Sequence, residues 1–166
     1  MYQISGRVWK YGDNVNTDVI YPGKYLYTIS DPHEMTAHAL EGLDPAFAEK
    51  VQPNDIIVGG KNWGCGSSRE QAVICLKEKK VGAIIAASFA RIYYRNCLNS
   101  ALIAISCPEA AGAIQDQESV SIDLKAGQIH CRAGTYGFQP LPELLQKIIS
   151  LGGLSAYVHE ELAKMK

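Results

Sequence analysis

The sequence predicts an α/β domain with a mixed sheet, and three features of its 166 residues indicate this. Short continuous apolar runs are typical of buried parallel strands. They alternate with helical patterns in the middle of the chain, which indicates βαβ units. Strand-like patterns at both ends indicate an additional antiparallel layer. A chain of this length usually forms one domain, so we predict a single domain over residues 1–166, with a C-terminal helical tail at about 154–166.

The elements of the first half follow from apolar periodicity and from residues that start or end helices. Ser30 or Asp31 suits a helix N-cap, Pro32 suits the first helical position, and Gly42 suits the end. An apolar run closed by two glycines marks a buried strand at 55–60. The predicted elements are a strand at 4–11, a loop at 14–22, a helix from 31 to 42, a helical turn at 45–50, a strand at 55–60 and a helix at 69–80.

The second half continues the alternation and then changes to a hairpin. Residues 81–87 are almost entirely apolar, Ala126-Gly127 separates two strand patterns, and Gly152-Gly153 separates two helices. The predicted elements are a strand at 81–87, a helix at 91–99, a strand at 101–105, a helix at 108–115, hairpin strands at 119–124 and 128–132, and helices at 142–150 and 154–165.

Charge and hydropathy exclude several classes of partner. Sixteen basic and seventeen acidic residues give a formal net charge of −1, and no basic run reaches five residues. Nucleic acid or an anionic membrane surface is therefore not an expected partner. The longest apolar stretches fall far short of the ~18 residues that a membrane span needs, and no charged-then-apolar leader opens the sequence. We expect a soluble, cytoplasmic protein.

The cysteines and histidines argue against a metal bound by this chain. The cysteines are odd in number and scattered, without a Cys-x-x-Cys pair: Cys65, Cys75, Cys97, Cys107 and Cys131. A disulfide framework, a zinc site or a cluster site would need closer or paired ligands. The four histidines have no zincin-like spacing. We expect reduced thiols that mostly act as small core residues, with a redox role of Cys65 left open.

The strongest local feature is a glycine-rich loop between the strand at 55–60 and the next helix. Residues 59–70 hold four glycines and two serines followed by an arginine. Glycine lets a backbone approach a ligand, and a helix N-terminus attracts anions. Ser67 and Ser68 could cap the helix, bind a ligand or do both, and Arg69 could bind a carboxylate or phosphate through two donors. P-loop and Rossmann patterns are absent, so we predict a small multi-carboxylate ligand or a phosphate. The alternative is a capped helix with Arg69 on the surface.

Three ordered segments of the chain resemble a known family. They are Gly12-Asp13-Asn14-Val15-Asn16-Thr17-Asp18-Val19-Ile20, Gly64-Cys65-Gly66-Ser67-Ser68-Arg69-Glu70 and Ser88-Phe89-Ala90-Arg91-Ile92-Tyr93-Tyr94-Arg95-Asn96. Together they resemble the swivelling β/β/α domain of the aconitase superfamily, over about residues 5–150. As a free chain of this size, that domain is the small subunit of 3-isopropylmalate dehydratase or a close relative. The resemblance implies a mixed sheet flanked by helices.

The resemblance also implies an activity and a partner. The activity is that of a hydro-lyase that moves a hydroxyl between neighbouring carbons of a malate-type dicarboxylate, foremost 3-isopropylmalate and 2-isopropylmalate in leucine biosynthesis. A [4Fe–4S] cluster, held by a large subunit, acts in the family as Lewis acid. We therefore expect a large catalytic subunit as partner and no activity of this chain alone. We expect no cofactor bound by this chain, and self-association of the isolated chain stays open.

The resemblance implies site residues at the positions of this chain that match the family's motifs. Ser67 corresponds to the family's catalytic base, which takes a proton from carbon. Arg69 corresponds to the arginine that binds a substrate carboxylate, Ser68 to its hydrogen-bonding neighbour, and Gly66 to the substrate-binding loop. Asp18 corresponds to an acidic residue of the active-site rim, with an Asx-turn residue as the local alternative. Trp63, just before the loop's second half, is expected to be an interface or wall residue.

The resemblance places substrate selection in the segment Tyr25-Leu26-Tyr27-Thr28. Homoaconitase-type members carry an arginine after Tyr-Leu, where this chain has Tyr27. Because tyrosine cannot neutralise a third carboxylate, we expect an apolar arm such as isopropyl or methyl. Isopropylmalate members often have a smaller aliphatic residue before a tyrosine here, so dehydratases of 2,3-dimethylmalate, methylmalate or citraconate, and homoaconitate are the alternatives. A regulatory module that only binds a carboxylate is the non-enzyme alternative.

Overall fold

The computed structural model describes residues 3–165, so Met1, Tyr2 and Lys166, at the ends of the predicted domain, lie outside the described residues. The strands are β1 Gln3–Lys10, β2 Ile56–Gly59, β3 Ala83–Ala86, β4 Ala104–Ser106, β5 Ser119–Asp123, β6 Gln128–Cys131 and β7 Gly134–Gly137. The α-helices are α1 Thr17–Ile20, α2 Pro32–Met35, α3 Phe47–Lys50, α4 Gln71–Glu78, α5 Arg91–Asn99, α6 Pro108–Ala113, α7 Glu143–Ser150 and α8 Leu154–Lys164. Two 3-10 turns, Gly23–Tyr25 and Thr36–His38, lie between α1 and α3.

The strands form one sheet in the order β4-β3-β2-β1-β5-β6-β7. Strands β1 to β4 pair in parallel, whereas β5 to β7 add an antiparallel half. Strand β1 joins the halves, since Val8 is in register with Ile56 on one side and Ile4 with Ile122 on the other. The predicted α/β class with a mixed sheet is confirmed.

Both faces of the parallel half are covered by apolar side chains. Ile57 and Ile84 belong to a core cluster that also contains residues of α4 and α5. Ile56, Val58 and Ile85 belong to the cluster on the other face, together with residues of α6 and the hairpin. Alternate residues of a strand point to opposite faces, so a strand covered on both faces is apolar at every position. This is why the middle strands could be predicted from the sequence.

The segment between β1 and α3 departs most from prediction. Helix α1 lies inside the predicted loop at 14–22, where the Asn16 side chain caps it by accepting from Val19 N. The helix predicted at 31–42 begins as expected, with Asp31 as N-cap, but its helical turns end at His38. Leu40 N donates instead to Ile20 O, at 2.8 Å. Helix formation stops because the chain turns back to bond with α1.

The C-terminal part contains one unpredicted strand and two predicted helices. Strand β7 pairs antiparallel with β6, but glycine at both of its ends hides the strand pattern. Helices α7 and α8 confirm the predicted helices at 142–150 and 154–165. Among residues 3–165, no helix combines the length and the apolarity needed to cross a bilayer.

Candidate active site

Three loops meet at the carboxyl ends of β1, β2 and β3. The glycine-rich loop follows β2, and its Gly60 N donates to Gly12 O, in the loop after β1, at 2.9 Å. Trp63 N donates to Ser88 O, in the loop after β3, also at 2.9 Å. The three segments that carry the family resemblance are therefore neighbours in space. The carboxyl edge of a parallel sheet is where α/β proteins usually bind ligands.

Trp63 is a core residue, so its prediction as an interface or wall residue is wrong. Its exposed fraction is 0%, and its carbonyl accepts from Ala90 N at 2.9 Å. A Cβ at Gly59 would lie 2.3 Å from the Trp63 ring, which shows that the indole packs directly on the strand backbone. Trp63 thereby anchors the start of the glycine-rich loop.

Gly64 brings the loop against α5. Its φ is +76°, and a Cβ at this position would lie 2.1 Å from Tyr93 Cγ. The Tyr93 hydroxyl donates to Ala72 O at 3.1 Å, which joins α5 to α4, and burial raises the pKa of Tyr93 well above its usual value. The loop backbone, α4 and α5 therefore pack as one unit.

We expect Gly64→Ala to lower the free energy of unfolding by about 2–5 kcal/mol, from backbone strain and overpacking against Tyr93. Urea denaturation of the chain measures this. Gly112→Ala is the matched control, because nothing lies within 4 Å of a Cβ built there. At the penultimate position of α6, alanine should raise stability by about 0.5 kcal/mol. Equal urea midpoints for the two variants would contradict the close packing of Gly64.

Ser67 and Ser68 do not cap a helix, contrary to one of the predicted roles. Helix α4 begins only at Gln71 and has no side-chain N-cap bond. Both serines are exposed. The hydrogen bond that Ser67 receives from the described chain goes to its carbonyl oxygen and not to its hydroxyl. Neither hydroxyl is bonded to another group of residues 3–165, so both can serve a ligand.

Arg69 is held in place from one side. Its Nη1 donates to Asp18 Oδ1 and, at 3.4 Å, to Tyr21 O. The Arg69 side chain is 13% exposed and that of Asp18 56%, so the alternative of a surface arginine is wrong. In the described part of the chain, Arg69 Nη2 has no hydrogen-bond partner. The local turn bond is formed by Asn16 and not by Asp18.

These groups line a small cleft of about 70 Å³. Its walls include the predicted residues Gly66, Ser67, Ser68 and Arg69. Two further wall residues, Thr17 and Asn96, were not singled out from the sequence, although each lies inside a resembling segment. A larger cleft of about 790 Å³ lies at the amino ends of β2, β3 and β4, beside α7, and contains none of the predicted site residues.

The turn before the predicted specificity segment lies beside Arg69. A Cβ at Gly23 would lie 3.3 Å from Arg69 Nη2. In the segment itself, Leu26 packs against the core, Tyr27 is 97% exposed and Thr28 is exposed as well. The structure therefore brings the start of this turn to the site and leaves Tyr27 in solvent.

Tyr25 belongs to an ionic cluster around Glu41. The Tyr25 hydroxyl donates to Glu41 Oε1 at 3.1 Å, and its ring stacks on His38 at 3.8 Å between centroids. Lys24 Nζ lies 2.8 Å from Glu41 Oε1, and His38 Nδ1 lies 2.5 Å from Oε2. The Lys24 hydrogen bond first, and then that of His38, lowers the pKa of Glu41 from 4.5 to about 2. Its stabilising contribution is therefore complete above about pH 4.5 and is lost as the pH falls towards 2.

The donor groups of the described residues do not converge on a metal site. Among residues 3–165, no three His, Cys, Asp or Glu side chains lie together as ligation would require. All cysteines are free thiols; Cys65 and Cys131 are half-buried and the other three are buried. Desolvation raises the pKa of the Cys75 and Cys97 thiols, which disfavours the thiolate form that binds iron.

Comparison with known proteins covers almost the whole chain. The family model described as Aconitase C-terminal domain matches residues 11–110. A 3-isopropylmalate dehydratase small subunit of Ruminiclostridium cellulolyticum is 49% identical, over 95% of this chain and 98% of its own length. The protein of the same name from Nautilia profundicola is 48% identical over 100% of both chains. The crystal structure of 3-isopropylmalate dehydratase from Methanocaldococcus jannaschii is 42% identical, covers 98% of this chain and 97% of that one, and gives a TM-score of 0.92.

Proposed function

Because this chain belongs to the family of 3-isopropylmalate dehydratase small subunits, with a domain of the aconitase C-terminal type, we propose that it is the small subunit of a heteromeric hydro-lyase. The proposed reaction interconverts 2-isopropylmalate and 3-isopropylmalate, a step of leucine biosynthesis. One observation carries the proposal: two serine hydroxyls that bond no other described residue stand beside an arginine that Asp18 holds in place. Such a set can bind a carboxylate and move a proton.

Ser67 is proposed as the base of the reaction. In dehydration, the Ser67 oxygen takes the proton from the carbon next to a carboxylate, and the C–H electrons form the double bond. The hydroxyl of the neighbouring carbon takes up a proton and leaves as water; rehydration reverses these steps with the two carbons exchanged. A serine alkoxide needs donors around it. The N–H groups of Gly66 to Glu70 donate no backbone hydrogen bond within the described chain, so they are available for this.

Arg69 is proposed to bind a substrate carboxylate. Its Nη1 is engaged by Asp18 and Tyr21 O, which leaves Nη2 to donate to the substrate. A charge-assisted bond of this kind is roughly twice as strong as a neutral one. Because the Asp18 tether fixes the guanidinium before substrate arrives, little side-chain entropy is lost on binding.

The cleft supports the need for a large subunit. Its volume is about 70 Å³, whereas small-molecule sites usually measure about 300–1,000 Å³. We propose that the large subunit supplies the remaining wall and holds the iron–sulfur cluster, since the donors among residues 3–165 do not form a ligand set for a cluster. When bound there, that group would act as Lewis acid on the substrate. We further propose that residues 1–166 form one domain, because a single sheet extends from β1 to β7.

The specificity segment favours a substrate with an apolar arm. Lys24 is the cation nearest to that segment in sequence, and it is paired with Glu41 at 2.8 Å. It therefore offers no unpaired charge to a third carboxylate. Burying an unpaired carboxylate costs several kcal/mol, which disfavours homoaconitate relative to isopropylmalate or a methylated malate.

A substrate panel tests the proposal. The chain is co-purified anaerobically with its large subunit, and kcat/KM is measured for 2-isopropylmalate, 3-isopropylmalate, 2,3-dimethylmalate, citraconate and homoaconitate. We expect isopropylmalate to be preferred and homoaconitate to be about 10²-fold worse or more, from the cost of the unpaired carboxylate. A preference for homoaconitate would contradict the proposed substrate. Tight binding of isopropylmalate to the chain alone, measured by calorimetry, would favour a regulatory module.

A further inference from the structure

A ladder of hydrogen bonds ties the segment before α1 to the glycine-rich loop. Gly64 N donates to Val15 O at 2.8 Å, and Thr17 N donates to Cys65 O at 2.9 Å. The next rung comes from a side chain: Thr17 Oγ1 donates to Ser67 O at 2.7 Å. Thr17 therefore holds the loop at two carbonyls, those of Cys65 and Ser67, and the second belongs to the proposed base.

A side chain is needed at this rung because the main-chain ladder cannot continue. The chain enters α1 at Thr17, with Asn16 as its N-cap, so the following N–H groups point along the helix. Thr17 is 1% exposed, and its Oγ1 lies 3.7 Å from a Cβ built on Gly66, whose φ is +88°. The hydroxyl thus lies directly under the bend that presents Ser67. Within residues 3–165, Ser67 O has no second hydrogen-bond donor.

We propose that Thr17 is a positioning residue, which fixes the peptide of Ser67 and thereby the place of its hydroxyl relative to the substrate carbon. This inference rests on the proposed function. The Ser67 hydroxyl has no hydrogen-bond partner among residues 3–165, so the backbone sets its position. A displacement of about 1 Å at a reacting group can cost about 10²-fold in rate. Arg69 has a separate tether in Asp18, so loss of the Thr17 bond should slow the reaction without weakening substrate binding.

The test compares two threonines that make the same bond. Thr17→Val in the assembled enzyme removes the hydroxyl and keeps the shape of the side chain. Thr36→Val is the matched control, because Thr36 is also buried, at 9% exposure, and its Oγ1 donates to His33 O at the same 2.7 Å. Thr17→Ser restores the hydroxyl without the methyl group. Steady-state kinetics and melting temperature are measured for all three variants, together with Ser67→Ala.

We expect Thr17→Val to lower kcat by about 10- to 100-fold with KM changed less than about twofold. Thr17→Ser should recover most of the rate, and Thr36→Val should keep it. The melting temperatures of the two valine variants should fall by similar amounts, so that fold stability does not explain the difference. An unchanged kcat for Thr17→Val, or an equal loss in Thr17→Ser or Thr36→Val, overturns the inference. If Ser67→Ala keeps full activity, the proposed role of Ser67 as base fails, and a parent complex that does not turn over isopropylmalate would contradict the proposed function itself. An inactive Ser67→Ala beside a fully active Thr17→Val overturns only the role of Thr17.

Discussion

Replacement of Ser67 by alanine is expected to lower kcat of the assembled enzyme by about 10³-fold or more, or about 4 kcal/mol in activation free energy. The change removes the group proposed to take the proton from carbon. Ser67 is exposed and its side chain is not bonded to described residues, so the fold and the assembly with the large subunit should be unaffected. Steady-state kinetics and size-exclusion chromatography of the co-purified complex measure the two effects.

Ser119→Ala is the control for this experiment. Ser119 is an exposed serine at the start of β5, in the antiparallel half of the sheet and outside the cleft. Its loss should leave both kcat and assembly unchanged. If Ser67→Ala keeps kcat within about threefold of the parent complex, Ser67 is not the base.

Substitution of Arg69 by lysine is expected to raise KM by about 10²-fold, or about 2.7 kcal/mol in binding free energy. Lysine keeps the charge, but its single ammonium group replaces a planar fork that donates to Asp18 and to substrate at once. The free lysine head would pair with the carboxylate of Asp18 or with water, and the substrate carboxylate would lose a fixed partner. Initial-rate kinetics at saturating and limiting isopropylmalate separate KM from kcat.

Asp18→Asn and Arg132→Lys complete the comparison. Asp18→Asn removes the tether of Arg69 and should raise KM less than Arg69→Lys does. The double variant should show a coupling free energy, because the two side chains are in contact. Arg132 is exposed and lies between β6 and β7, so Arg132→Lys should change nothing. A fall in kcat with unchanged KM in Arg69→Lys would show that the arginine does not bind the ground-state substrate.

The sequence was most informative where burial on both faces dictated residue types. Ile56 to Val58 and Ala83 to Ala86 are apolar throughout because the sheet is covered on both sides, and these strands were predicted. Strand β7 was missed because glycines end it and one face is open. Helix α4 begins at Gln71, two residues later than predicted, and Arg69 is instead bonded to Asp18 and Tyr21 O. Hydrogen bonds between distant segments are not encoded in local propensity.

The sequence predicted which residues belong to the site, but it did not predict which of them contact one another. The resemblance indicated Ser67, Arg69 and Asp18 as members of one site, and the structure brings all three loops together. It could not indicate that Asp18 directly pairs with Arg69, nor that the Thr17 hydroxyl bonds the carbonyl of Ser67. Trp63 was predicted at a surface because an aromatic residue in a polar loop has no local signal of burial; only the close approach of Gly59 reveals it.

Gly23 has a consequence for redesign of the substrate range. A methyl group there would stand 3.3 Å from both Arg69 Nη2 and Asp18 Oδ1. Any larger residue would therefore push on the paired side chains of Arg69 and Asp18. The proposed selection of the substrate arm and the proposed binding of its carboxylate are therefore coupled at this one position. Mutant libraries that seek enzymes for bulkier or more polar organic acids should keep Gly23 and diversify Tyr27 and Thr28, which are exposed.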